Sequence, residues 1–379
     1  MVSAGLTHDS ESQPMRLPSR TELPARRCGQ CKAAAPPALL RLSLAILVAA
    51  WFAYGRTASA DIQPNNCSRA AKYSESKRGT AMLVIQNGRT VFEHYAPGAA
   101  ANGRWPIFSG TKSFWGLAAL CAVHDGLFKL DDPVSATITE WKTDPRKSGI
   151  RIRQLLNFTD GIEGASFLHR ASIGNRNAAA IKLPAVADPG TRFIYGPSHL
   201  QIFIELLRRK LAGRSPTLYI EEKVLRPLGL GAMQFKPDRK GSPLAASGFE
   251  LTAREWARLG ELILGGGSYR GRRIVSENLL REGFTGSAAN PAYGLTFWLN
   301  RQAPQGSETD IENELDIPWQ QTRWEGVCLS KSAPADMVVG LGSGYQRLFV
   351  IPSIKAVIVR QGRHGKFSDA HFLRLVLGR

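Results

Sequence analysis

The sequence predicts an α+β fold: an antiparallel sheet built from N- and C-terminal strands, flanked by helices, with a mainly helical inserted subdomain. Three observations predict it. Apolar, β-rich runs stand at residues 80–95 and again between 293 and 360. Helical spacing of apolar residues dominates the interval between them. Asn87-Gly88 joins the first two apolar runs, and Asn-Gly between strands is a strong hairpin signal. Strands from both ends and helices from the middle imply one sheet made by the two ends of the chain. No internal repeat interrupts this pattern.

Each element follows from local chemistry. Residues 61–78 form a polar helical approach. Thr80–Gln86 and Arg89–Tyr95 are the hairpin strands. A helix starts at Ser109 and ends near Asp125-Gly126. Its residues Phe114, Trp115, Leu117, Ala118, Leu120 and Cys121 leave no polar face, so it is a buried helix. Ile152–Phe158 is a short helix stopped by Thr159-Asp160-Gly161. Residues 164–180, rich in Gly, Asn and Ala, read as irregular or loosely helical. Asp188–Tyr195 is extended behind the Pro189-Gly190 turn. Helices follow at Ser198–Leu211, with Leu200, Ile204 and Leu207 on one face, and at Leu218–Val224. Thr252 and Glu255 form a capping box that opens a helix to Leu264. Tyr293–Leu299, Tyr345–Ile351 and Lys355–Arg360 are short strands, and Phe367–Leu377 is a closing helix. The helical insertion spans about 126–285 of a domain at 61–379.

The 379 residues carry a net charge of +18, with 43% apolar and 21% charged residues. The first 60 residues hold seven Lys/Arg and three Asp/Glu, which leaves +14 to the remainder. Those basic residues are scattered, with no dense stripe interleaved with aromatics, which excludes a nucleic-acid-binding surface as the leading reading. Association with an anionic envelope surface fits the charge better. Arg20, Arg26, Arg27, Lys32 and Arg41 precede the apolar run Leu42–Ala53, and Ala58-Ser59-Ala60 follows. That order reads as an export signal over residues 1–60, hence a periplasmic or secreted protein. The alternative is an inner-membrane anchor, for which the apolar run is short. Of the five cysteines, Cys28 and Cys31 lie in that leader and Cys121 lies in the buried helix. Cys67 and Cys328 remain as the candidate disulfide pair. No metal-ligand spacing occurs among the isolated histidines, and no cofactor is implied.

The chemistry concentrates at Ser109-Gly110-Thr111-Lys112. Positions i and i+3 share a helix face, so Lys112 directs its amine at the Ser109 hydroxyl. A serine needs such a base to become a nucleophile. The helix start adds unpaired N–H groups and the positive end of the dipole, which favour an oxyanion. The bland alternative makes Ser109 an N-cap and lets Lys112 snorkel to solvent. A second Ser-x-x-Lys, Ser74 to Lys77, has no apolar face and reads as a solvated surface.

Four stretches in order resemble the serine β-lactamase and penicillin-binding-protein superfamily, in its class C-like branch of esterases, D-peptidases and amide-oligomer hydrolases. They are Phe108–Lys112 with its helix, Gly126–Val134 followed by Ile152–Ile162, Pro189–Tyr195, and Gly342–Gln346 with the strands after it. The resemblance implies that Ser109 is acylated, Lys112 is its paired lysine, and Tyr195 assists proton transfer. It implies an oxyanion hole from the N–H groups of Ser109 and Tyr345, and a substrate-binding edge at Gly342, Ser343 and Gly344. Two departures stand out. Pro197 replaces an asparagine, for which Ser198 or His199 is a candidate substitute. Gly342 replaces a lysine or histidine, which argues against efficient β-lactam turnover. The expected function is an exported serine hydrolase acting on a small ester, amide or peptide. The alternatives are a β-lactamase or D,D-carboxypeptidase, and a non-catalytic recognition protein of the same fold.

Overall fold

Strand β1 (Gly79–Gln86) turns through Asn87 and Gly88 into β2 (Arg89–Tyr95) in the computed structural model, which describes residues 61–301, 308–315 and 320–379. Both turn residues have positive φ, 52° and 74°, the hairpin geometry that Asn-Gly favours. The leader read from residues 1–60 lies outside the described residues. The sheet is completed by β3 (Trp298–Leu299), β4 (Val338–Gly342), β5 (Gln346–Ile351) and β6 (Ala356–Gly362), in the order β2-β1-β6-β5-β4-β3. Every pairing is antiparallel; Leu83 faces Val359, Val359 faces Leu348, and Val339 faces Phe349. The early and late strands therefore meet at the centre of one sheet, as the sequence predicts.

β5 and β6 are buried along their whole length, which requires cover on both faces. Helix α1 (Pro64–Ser76) and the C-terminal helix α5 (Asp369–Leu377) pack together on one face, where Phe372 stacks on Phe349. Helix α4 (Ala253–Leu264) crosses the other, opened by the Thr252–Glu255 capping box. The side chains of Val350 and Val357 meet α4 there. Helix α2 (Thr111–His124) is buried nearly all round, and helix α3 (Ser198–Lys210) is the longest helix of the inserted region. No helix among the described residues is long and apolar enough to cross a membrane.

Several expectations change. β4 is an additional strand: its Val-Val-Gly-Leu-Gly sequence contains two glycines, which weaken the strand signal. Only Trp298–Leu299 of the 293–299 run pairs in the sheet, with Tyr293 bridging to Trp298. The helical part of the stretch read as irregular or loosely helical is Arg176–Lys182, which runs two residues past its expected end at 180. Ser74 is buried rather than solvated, and its Oγ accepts from Arg360 Nε at 3.2 Å. Cys67 and Cys328 form no disulfide. Cys67 packs inside α1, and Cys328 directs its thiol at Asn300 Oδ1, 3.5 Å away. Cys121 is core, as read.

Two buried arginines on adjacent strands close the sheet at one end. Arg347 of β5 donates to both carboxylate oxygens of Asp369, at 2.7 and 3.0 Å. Arg360 of β6 donates to Ser74 Oγ and to Lys77 O, and lies 4.5 Å from the Phe367 ring centroid. Burial and the neighbouring Arg347 lower the Arg360 pKa to about 10, so it remains charged at neutral pH. Removing one partner of a buried ion pair strands the other charge, at a cost of about 3–5 kcal/mol. Asp369→Asn is therefore expected to lower stability by about 3 kcal/mol or more. Thermal unfolding checks this, and an unchanged midpoint contradicts it.

Candidate active site

Ser109 is placed by strain and by packing. Phe108 before it has φ of 45°, a conformation that a bulky side chain rarely adopts. This bend turns the chain into a short helical turn (Phe108–Gly110) that runs on into α2. Trp105–Pro106 pairs with Glu250–Leu251, tying the approach to the segment that leads into α4.

The predicted i,i+3 contact is present. Lys112 Nζ lies 2.8 Å from Ser109 Oγ and donates to Ala246 O at 2.9 Å. Lys112 is 2% exposed, so it does not snorkel. Burial pushes its amine down to about 7, which leaves much of it neutral at physiological pH. An amine lone pair against a serine hydroxyl is a proton acceptor in place.

Tyr195 completes the group. It lines the same cleft as Ser109, and Lys112 Nζ lies 4.8 Å from its ring centroid. Burial pushes the phenol up to about 12, against the opposing pull of the nearby Ser109 side chain. A depressed tyrosine pKa is therefore not what this site offers: Tyr195 is a neutral phenol beside a lysine amine that is itself largely neutral. Phe158, Phe193 and Trp298 surround the ring, with centroids 5.5, 6.2 and 5.9 Å away. Trp298 is thus core packing behind the tyrosine, and Trp115 is buried in α2.

The Gly342-Ser343-Gly344-Tyr345 turn joins β4 to β5 beside Ser109. Gly342 has no room for a side chain: a Cβ there would stand 2.0 Å from Ile107 O. The lysine or histidine that the resemblance implies at this position has no place, because the strand end packs directly on the backbone just before Ser109. Ser343 and Tyr345 line the cleft, whereas Gly342 and Gly344, predicted with Ser343 as a substrate-binding edge, are not part of its lining. Arg347 Nη1 holds the carbonyls of Gly342 and Gln346 at 3.0 and 3.1 Å. Arg360 Nη1 holds those of Gly344 and Tyr345 at 3.0 and 2.8 Å.

The expected second oxyanion donor is engaged. Tyr345 N donates to Glu312 Oε1 at 2.7 Å. Glu312, from the short helix Ile311–Leu315, is a site residue that no motif marks. It lines a cleft of about 440 Å³ together with Ser109, Lys112, Tyr195, Ser343 and His364. Neither proposed substitute for the missing asparagine reaches this cleft. Ser198 Oγ donates to Glu163 O at 2.6 Å, and His199 is wholly buried with its Nδ1 2.6 Å from Asp160 Oδ2. Asp160 also accepts from Ile162 N at 2.7 Å, so its carboxylate holds the turn after the Ile152 helix. Pro197 itself lines the cleft. Among the described residues no cluster of side chains could hold a metal ion.

A Ser–Lys–Tyr group at the edge of an antiparallel sheet, between the sheet and a helical insertion, defines a class of site, and comparison with known proteins identifies the family. The chain matches the β-lactamase family over residues 66–360 and belongs to it. Protein flp of Staphylococcus aureus is 28% identical over 191 residues, 46% of this chain and 38% of that protein. The chain thus spans about two-fifths of the curated relatives' length. Among solved structures, a putative β-lactamase from Bacteroides dorei superposes with TM-score 0.62 at 18% identity, covering 83% of this chain and 98% of its own. A putative 6-aminohexanoate-dimer hydrolase from Bacillus anthracis gives TM-score 0.58 at 18% identity, covering 81% of this chain and 79% of its own. These two likenesses establish the fold.

The contact between β4 and the Ile107 carbonyl yields a prediction. Gly342→Val should displace the Ser109 turn, destabilise the protein by about 1–3 kcal/mol, and reduce any activity that depends on Ser109. Thermal unfolding and Ser109 labelling with a fluorophosphonate read the two effects; wild-type values in both would contradict the assigned contact.

Proposed function

We propose that this β-lactamase-family chain is an exported serine hydrolase that cleaves an ester or amide through an acyl-enzyme on Ser109. The observation that carries the reading is the 2.8 Å contact between the Ser109 hydroxyl and a buried Lys112 amine whose pKa falls to about 7. In this scheme the Lys112 lone pair takes the hydroxyl proton as Ser109 Oγ bonds to the substrate carbonyl carbon. The carbonyl π electrons move onto its oxygen, which the N–H groups of Ser109 and Tyr345 face. Collapse expels the alcohol or amine, which takes a proton from Lys112 directly or through the neutral Tyr195 phenol. Water repeats the sequence on the acyl-enzyme, with Lys112 again the base. The solved structure of the same fold described as a putative 6-aminohexanoate-dimer hydrolase fits an amide or ester substrate.

A β-lactamase or D,D-carboxypeptidase activity is less well supported. Substrates of both kinds carry a carboxylate. Among the described residues, the cleft lining offers no arginine, and no lysine besides Lys112. The export assignment rests on the leader sequence, and the envelope association on the net charge.

Mass spectrometry of the intact protein after fluorophosphonate treatment tests the nucleophile: one adduct is expected on the wild type and none on Ser109→Ala. Equal labelling of both proteins, or none on the wild type, would falsify the reading. The acylation rate should rise with pH through a midpoint near 7 as Lys112 loses its proton. A flat profile between pH 5.5 and 8.5, measured with a p-nitrophenyl ester, removes Lys112 as the base.

The same group sets a stability prediction. In the unfolded chain the amine titrates near 10.4, so between about pH 7 and 10 the unfolded state binds more protons than the native one. Stability is penalised in full below about pH 7 and recovers as pH rises through that window. Lys112→Met, which removes the amine at similar volume, should abolish activity while raising the melting midpoint at pH 7 by at least about 2 °C. A lower midpoint contradicts the cost assigned to the buried amine.

A further inference from the structure

Glu312 occupies the place where an oxyanion would form. The turn after β4 carries two successive residues with positive φ, Gly344 at 72° and Tyr345 at 57°. Successive N–H groups in such a turn converge and make a concave anion site. The anion held there is a side chain of the protein itself. Glu312 Oε1 accepts from Tyr345 N at 2.7 Å and Oε2 from Gly344 N at 3.3 Å. Arg347 Nη1 adds a third donor to Oε1 at 2.9 Å. The Glu312 side chain is 19% exposed, and the residue lines the same cleft as Ser109.

A carboxylate in that position has two effects. It takes the N–H that the acyl oxyanion requires. It also opposes a second negative charge forming beside it, in a site where screening by water is weak. Arg347 does not require it for a partner, because Asp369 already binds Nε and Nη2. Asp369 has no atom in the cleft lining, so Glu312 is the one carboxylate there among the described residues. The other chargeable groups in the lining are Lys112, His169 and His364.

We infer that Glu312 is a specificity-determining residue: it fills the oxyanion nest at rest, must be displaced by the substrate carbonyl, and selects acyl donors by charge. Once off the nest, its carboxylate remains in the cleft, where it attracts a cationic acyl chain and repels an anionic one. The substrate class is thus a neutral or cationic ester or amide. This rests on Ser109 being the nucleophile, as proposed above. Glu312 makes and breaks no covalent bond in the reaction.

The test compares full-length wild type, Glu312→Gln and Glu312→Ala on three p-nitrophenyl esters of equal chain length, with acyl chains ending in methyl, trimethylammonium or carboxylate. Wild-type kcat/KM is expected to rank cationic above neutral above anionic. Glu312→Ala should raise kcat/KM on the neutral ester by about tenfold or more, the scale of one displaced charge-assisted hydrogen bond, and level the charge ranking. Glu312→Gln keeps the shape and an acceptor oxygen, so it should level the ranking with a smaller gain. It also carries the charge test alone if the alanine variant melts early. An unchanged charge ranking in Glu312→Gln overturns the inference, as does a slower Glu312→Ala with a wild-type melting midpoint. Fluorophosphonate labelling separates the two layers. A labelled wild type with an unmoved ranking sinks only the role of Glu312, whereas no Ser109 adduct in any of the three proteins sinks the nucleophile as well.

Discussion

The edge of the cleft at Ser109 depends on two guanidinium groups buried beneath one turn. Arg347 and Arg360 together hold four consecutive-strand and turn carbonyls, those of Gly342, Gly344, Tyr345 and Gln346. With its carbonyls held from below, the turn is left to present its N–H groups to the cleft. A turn of this conformation is costly for Tyr345, whose side chain disfavours positive φ. Charge-assisted hydrogen bonds to the carbonyls offset that cost, being roughly twice as strong as neutral ones. The charges are in turn offset by Asp369 from the C-terminal helix. The geometry beside Ser109 therefore rests on buried residues that are not themselves part of the cleft lining.

A second conflict between stability and chemistry lies at Lys112. A buried lysine destabilises the fold, and the fold keeps it beside a serine and the Ala246 carbonyl. The destabilisation and the low pKa are one effect seen from two sides: burial makes the charged form unfavourable, and so makes the neutral base available. Tyr195 is subject to the same burial, and the same preference for the neutral form moves its pKa the other way. Its phenol is held neutral, which suits donation rather than abstraction of a proton. One apolar environment thus shifts two neighbouring groups in opposite directions while holding both uncharged.

Local chemistry made much of this readable in advance. The Asn87-Gly88 hairpin, the Thr252–Glu255 capping box and the i,i+3 pairing of Ser109 with Lys112 each depend on residues within a few positions, and each formed. What escaped depends on distant contacts. β4 carries glycines that weaken its strand signal, yet Gly342 is there because the Ile107 carbonyl leaves no space. Ser74 sits in a polar stretch and is buried because Arg360, on the far side of the sequence, needs an acceptor. Glu312 belongs to no motif and matters only because the turn at 342–346 folds against it. Cys67 and Cys328 look like partners by elimination, and elimination carries no geometry.

The sheet order has a kinetic consequence. β1 pairs with β6, so the middle of the sheet joins segments from opposite ends of the domain. Its central ladder cannot nucleate from any nascent portion that lacks residues 356–362. The hairpin β1–β2 must wait, without its β6 partner, while the intervening segments are synthesised. Contacts of such long sequence separation fold slowly, because loop closure is lost before packing is gained. The interval in which this chain is vulnerable to aggregation is thus written into its topology, and it lasts until the late strands arrive to seal the earliest ones.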